Sequence, residues 1–251
     1  MNLGERLKDI KILRSFVYAL VGFVSYPGLA WVNQIKIEGT EHLENLPKKN
    51  VLFVSNHQTY FADVIAFLHV FCAVKWRKKN RLGLPYYLLN PFTNVFFIAA
   101  EETMNGNLIS RLFKLAGAIS IKRTWRSDGM DIARSREESD THKIDGALQK
   151  SWVITFPQGT TKAFAPGRKG TAHIIKNNQP IVVPIVINGF WRAFNKTGLL
   201  FKKKGVKLSI RIKAPLVIDY AKSVDLILAE IMHAIEQDET FKLKGKHHIF
   251  K

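Results

Sequence analysis

The stretch Val51-Leu52-Phe53-Val54-Ser55-Asn56-His57-Gln58-Thr59-Tyr60-Phe61-Ala62-Asp63 passes from an apolar run to a polar corner and then to an acid. An apolar run this short, bounded by polar residues, reads as a strand buried on both faces, as in a parallel sheet. The polar residues after it then fall at the strand's carboxyl end, where α/β sheets gather their sites. His57 is a strand-end residue. A single helix from His57 to Asp63 would take six steps of about 100° and turn the two side chains to different faces, so they meet only if a turn precedes the helix. An imidazole backed by a carboxylate can take a proton from a hydroxyl, the acid fixing the tautomer and stabilising the imidazolium.

The same alternation of short β-rich runs and helical stretches continues on both sides. Strands are expected at 35–38, 51–55, 95–99, 118–122, 152–156, 181–187 and 206–212. Helices are expected at 61–74, 107–116, 141–150, 171–177 and 224–236, the last with Ser223 as N-cap. The fold class this implies is α/β, a mixed and largely parallel sheet flanked by helices. Stretch 124–143 is hydrophilic enough for an exposed loop or helix, and Asn90-Pro91 marks a break between helical patterns. Neither is a domain linker, and 251 residues suit one catalytic domain with a short appendage.

That appendage is the amino terminus. No residue from 15 to 35 carries a charge, and the stretch includes Phe16, Tyr18, Phe23, Tyr26 and Trp31. About 20 apolar residues are needed to cross a bilayer, and Pro27-Gly28 interrupts this run, so monotopic attachment is favoured over a full span. Residues 1–33 are expected to form a membrane-associating helical segment and 34–251 the remaining domain. Lys8, Lys11 and Arg14 upstream favour the cytoplasmic face of the cell membrane. No small-x-small cleavage site follows to support a signal peptide. The rival reading is a buried core helix.

Lys and Arg number 38 against 20 Asp and Glu, a formal net charge of +18, so partner surfaces are expected to be anionic. The basic residues cluster at Arg77-Lys78-Lys79 with Arg81, at Lys202-Lys203-Lys204, and at Lys242, Lys244 and Lys246. Charge alone would suit nucleic acid, but no nucleic-acid-binding motif is present and the uncharged segment is left unexplained; no nucleic acid partner is expected. The one cysteine, Cys72, lies in an apolar run and reads as a buried structural thiol. The histidines show no metal-ligand spacing, and no Gly-rich phosphate loop or nucleophile elbow occurs, so neither metal nor cofactor is expected.

Three further segments follow in order: Gly117-Ala118-Ile119-Ser120-Ile121-Lys122-Arg123, Phe156-Pro157-Gln158-Gly159-Thr160-Thr161 and Val183-Pro184-Ile185-Val186. With Asn56-His57 they resemble the four-block signature of the glycerolipid acyltransferases, the 1-acylglycerol-3-phosphate acyltransferase family, over roughly residues 50 to 190. The resemblance implies His57 as general base with Asp63 its partner. It implies an acceptor site from Gly117, Arg123, Phe156, Pro157, Gln158, Gly159, Thr160 and Thr161, and an acyl side lined by Val183 and Pro184. It also implies an acyl donor, acyl-CoA or acyl carrier protein, a lysophospholipid acceptor, most simply 1-acyl-sn-glycerol-3-phosphate, and a place in phospholipid biosynthesis at an anionic membrane surface. Oligomeric state is left open.

Two departures from the family pattern carry consequences. The spacing is H-x5-D where the family has H-x4-D, so the turn must bulge to bring Asp63 to His57, or Asp63 is not the partner; the bulge is expected. In the third block Gln158 and Thr161 stand where the family has Glu and Arg. Arg is suited to a phosphate by its planar fork of donors, and Thr is not. Arg123, Lys162 or Arg168 would then supply the charge, or the acceptor is a phosphate-free lyso-aminolipid. A non-enzymatic reading, a basic membrane- or nucleic-acid-binding protein or an adaptor without catalysis, is the alternative of a different class.

Overall fold

A computed structural model describes residues 3–104, 108–121, 126–127, 130–131 and 138–243. In chain order the elements are α1 (Leu3–Ala30), β1 (Gln34–Glu38), α2 (Glu41–Glu44), β2 (Val51–Ser55), α3 (Ala62–Lys75), a 3-10 turn (Pro85–Leu89), β3 (Val95–Ala100), α4 (Glu101–Met104), α5 (Leu108–Ala116) and β4 (Ala118–Ile121). There follow β5 (Arg126–Ser127), β6 (Met130–Asp131), α6 (Glu138–Leu148), β7 (Trp152–Thr155), α7 (Lys169–Asn178), β8 (Ile181–Asn188), α8 (Phe190–Ala193), β9 (Lys207–Ile212) and α9 (Val224–Ala234).

Seven strands form one sheet in the order β1-β9-β8-β2-β7-β3-β4, while β5 and β6 pair separately. From β8 to β4 every neighbour is parallel; β9 runs antiparallel to β8 and parallel to β1. The mixed, largely parallel α/β sheet expected from the sequence is thus present, and the carboxyl ends of β8, β2, β7, β3 and β4 share one edge. β2 is central and all five of its residues are buried. Its alternate side chains feed two cores. Val51 and Phe53 join the one covered by α1, α3 and α5, whereas Leu52 and Val54 join the one covered by α6, α7 and α9. That two-sided burial is why the run is continuously apolar.

Helix α1 runs unbroken through Pro27, so the expected interruption does not end it. Proline removes one intrahelical N–H, but Tyr26 and Leu29 on either side are buried in the core and keep the last turn in place. The end is closed by N–H groups of Trp31 and Val32 donating to the Pro27 carbonyl. The helix wears two apolar faces. Val17, Tyr18, Tyr26 and Leu29 pack into the same core as the sheet, while Ile12, Phe16, Phe23 and Val24 are exposed. Residues Lys11–Ala30 are long and apolar enough to cross a bilayer by length and composition alone. Arg14 turns inward rather than towards a head-group layer. Its Nη2 donates to Val95 O at 2.6 Å and Ala116 O at 2.9 Å, and its guanidinium lies over the Phe96 ring.

A buried polar chain also ties α1 to α3: Ser25 Oγ contacts His69 Nε2 at 2.9 Å, and His69 Nδ1 contacts the Tyr87 hydroxyl at 2.9 Å. Burial pushes the His69 pKa down to about 4. Cys72 is buried as expected, accepts a hydrogen bond from Phe92 N, and burial raises its thiol to about 12, which leaves it inert.

Candidate active site

Strand β2 ends at Ser55, and Asn56 carries its ladder one step further with side-chain bonds. Nδ2 donates to Ile187 O and Oδ1 accepts from Ile187 N, both at 2.9 Å. Gln58 adds a second stitch to the same edge, its Nε2 donating to Ile187 O and its Oε1 accepting from Phe190 N. Between these fixed points His57 is presented from the strand end, its side chain only 13% exposed.

Asp63, in the first turn of α3, is fully buried. Its Oδ2 faces His57 Nδ1 at 2.9 Å and accepts from the backbone N–H of Gln58 at 2.6 Å and of Thr59 at 3.0 Å. Its Oδ1 accepts from Thr59 Oγ1 at 2.7 Å. The other three partners are all donors, so the carboxyl oxygens act as acceptors and Nδ1 of His57 carries the proton, leaving Nε2 as the acceptor. The H-x5-D spacing is met by a turn whose every N–H is used. Gln58 and Thr59 donate to Asp63, while Tyr60 N donates to Lys196 O at 3.0 Å and Phe61 N to Thr197 O at 2.9 Å. A buried turn must satisfy these donors, and the additional residue is absorbed by bonding outward to 196–197.

His57 lines a pocket of about 950 Å³, open mouth included, at the carboxyl edge of β7, β3 and β4. The Phe156 ring stacks on the imidazole, centroids 3.9 Å apart. Of the residues singled out from sequence, His57, Phe156, Pro157, Gly159, Thr160 and Arg168 line this pocket, with Asp63 behind the histidine, and Lys162 does not. Nor do Gln158 and Thr161. Gln158 is buried, its Nε2 donating to Ala165 O at 3.0 Å and to Gln237 Oε1 at 3.2 Å. Gln237 Oε1 also accepts from Phe164 N, so the amide clamps the 160–168 loop to the residues just beyond α9. Gly117 lies at the opposite, amino end of β4 against Arg14, where a Cβ would collide with Nη2. Val183 and Pro184 sit inside β8, paired with Phe53 and Val54, and line none of the described pocket around His57. Arg123 lies outside the described residues.

The pocket has walls that sequence reasoning passed over: Tyr60 and Val64 from the turn and α3, residues 97–100 of β3, and Thr171 of α7. The parallel placing of β3 beside β7 brings its end to the same edge, a fact available only once strand order is known. Arg168 lines the pocket with its guanidinium lying over Gly159, where a Cβ would meet Nε at 2.9 Å. Among the described residues no three His, Cys, Asp or Glu side chains group to hold a metal ion.

The acyltransferase family model matches residues 34–188. A comparison with curated proteins returns no match. Among solved structures the chain is similar to the crystal structure of the 1-acyl-sn-glycerophosphate (LPA) acyltransferase PlsC from Thermotoga maritima. The identity is 15%, the TM-score 0.48, and the likeness covers 94% of this chain and 83% of that one. The family match takes in more than half of the chain, including the histidine, its buried carboxylate and the pocket's third-block wall, and so the chain belongs to the acyltransferase family of enzymes.

Proposed function

We propose that this enzyme moves a fatty acyl group from acyl-CoA or acyl carrier protein to the free hydroxyl of a lysophospholipid, with 1-acyl-sn-glycerol-3-phosphate the first choice, at the cytoplasmic face of the cell membrane. The observation that carries the reading is His57 held on a buried Asp63 at the wall of an open pocket. Nε2 takes the hydroxyl proton as the oxygen attacks the thioester carbonyl, and Asp63 stabilises the imidazolium that forms. The tetrahedral oxyanion then collapses, the carbon–sulfur bond breaks and the thiolate leaves, taking the proton back from the ring. A thioester is already activated, so this chemistry calls for no cofactor.

Charge for the head group comes from Arg168. Thr161 stands where the family has arginine and does not reach the pocket, whereas Arg168 lines it from the amino end of α7. A planar guanidinium there can take a phosphate in two hydrogen bonds. The test offers purified enzyme acyl-CoA or acyl carrier protein with lysophosphatidic acid beside a phosphate-free lyso-aminolipid. Wild type is expected to prefer the phosphate, and Arg168→Gln to raise KM for it at least tenfold, with Thr161→Arg restoring part of the loss. Product from the phosphate-free acceptor alone would overturn this choice of substrate. The exposed apolar face of α1 supports the membrane location.

A further inference from the structure

The connection between β8 and β9 is a stiff projection rather than a slack loop. Phe194 bridges to Phe201, and the N–H groups of Lys202 and Lys203 both return to the Ala193 carbonyl. Asn195 Oδ1 accepts from the N–H of Gly198, Leu199 and Leu200 and so closes the tip. The tip exposes Leu199, Leu200 and Phe201, with Lys202-Lys203-Lys204 directly behind them. Trp191 is also exposed, and Arg192 and Lys202 lie over its ring at 5.9 and 5.8 Å.

Two contacts give this projection meaning. On one side Leu199 and Phe201 share an apolar groove with Leu20, Val24 and Gly28 of α1, so the tip continues the helix's exposed apolar face. On the other side the inner face of the same Asn195-closed turn holds the turn after His57: Lys196 and Thr197 carbonyls accept the N–H groups of Tyr60 and Phe61. Gly198, at φ +82°, packs so closely that a Cβ would lie 2.5 Å from Ala62 N. One segment therefore carries an outward apolar tip and the inner brace of the turn that joins His57 to Asp63.

Soluble proteins seldom leave contiguous apolar area exposed without a partner. Apolar tip residues backed by a tryptophan and three consecutive lysines match the layers of an anionic bilayer: acyl chains, interface and phosphates. A second copy of this chain, with the same lysines and a net charge of +18, would meet repulsion instead. We propose that segment 191–204 is a membrane-docking finger for anionic phospholipid, and that docking it steadies the His57–Asp63 turn. The inference rests on the lipid acyltransferase reading and names the surface that this site uses.

The test uses the full chain. Leu200→Cys is labelled with an environment-sensitive fluorophore, the native Cys72 being buried and the unaltered protein serving as the labelling control. Phosphatidylglycerol vesicles are expected to blue-shift the probe and phosphatidylcholine vesicles to do so much less. Leu199→Asp/Leu200→Asp should lower vesicle flotation at least tenfold, and Lys202→Gln/Lys203→Gln/Lys204→Gln should abolish the preference for anionic lipid. On a short-chain soluble acceptor both variants should turn over like wild type, and adding anionic vesicles should raise the wild-type rate alone. Unchanged flotation of the Asp variant, or a probe shift that follows self-association without lipid, would overturn the proposal. Wild type that docks but transfers no acyl group would instead sink the substrate reading and leave the finger standing.

Discussion

Replacing Asp63 by Asn isolates what the carboxylate's charge contributes. The amide oxygen can take the place of Oδ2 and keep the bonds from His57 Nδ1, Gln58 N and Thr59 N, while the new NH2 meets the Thr59 hydroxyl, which can accept. The turn is therefore expected to survive, and only the imidazolium loses its counter-charge. With charge centres about 4 Å apart and an effective dielectric of about 20, that interaction is worth about 4 kcal/mol, or about a thousandfold in rate. The assay is kcat at saturating donor and acceptor, beside thermal unfolding of the variant. A drop of about 10³ in kcat with the melting temperature nearly unchanged is expected. Turnover within tenfold of wild type would refute the role, because a carboxylate 2.9 Å from the base has no way to be indifferent to the base's charge. Asp63→Ala is expected to differ in kind. It strands the buried donors of Gln58, Thr59 and His57, so stability falls as well, by about 1–3 kcal/mol for each donor left unsatisfied.

Stability should depend on pH through His69, which takes up its proton near 6.5 when unfolded and only near 4 when buried in the fold. The unfolded chain then binds more protons across that window, so stability drops as pH falls from about 6.5 to about 4, by about 3 kcal/mol, and is flat for this group below it. Urea midpoints for wild type and His69→Phe should converge over that range as pH falls, and parallel curves would dismiss the assignment. Gln158→Glu, which restores the family's residue, should destabilise by about 3 kcal/mol, since a carboxylate cannot donate to Ala165 O or Gln237 Oε1. A variant as stable as wild type by calorimetry would show that the clamp is unimportant.

The central strands β2, β7 and β8 were legible because burial on both faces leaves a continuous apolar run, and β9 because its burial alternates residue by residue. Every expected strand is present, and 51–55 agrees to the residue. Ser223 caps α9 as expected, its hydroxyl accepting from Leu226 N. The partnership of His57 and Asp63 was legible from chemistry, and the turn needed to form it was legible from helical geometry. Side-chain direction was not. Gln158 belongs to the same block as Phe156 and Thr160, yet it points into the loop behind them, a choice set by Gln237 nearly eighty positions on. Gly117 belongs to an acceptor block by resemblance and lies instead beneath Arg14, at the far end of its strand. Arg14 itself was grouped with flanking charges, because nothing in a sequence says that a basic side chain will be spent on the carbonyls of Val95 and Ala116.

The two-faced character of α1 sets how this protein can be handled in a test tube. Its inward side chains, Val17, Tyr18, Tyr26 and Leu29, each contribute about 1.5–3 kcal/mol to the fold, so cutting the helix away to gain solubility would uncover the enzyme's own interior. Repainting is the better route. Polar residues at Ile12, Phe16 and Phe23 would alter only the outward side and leave the sheet-facing side of the helix as it is.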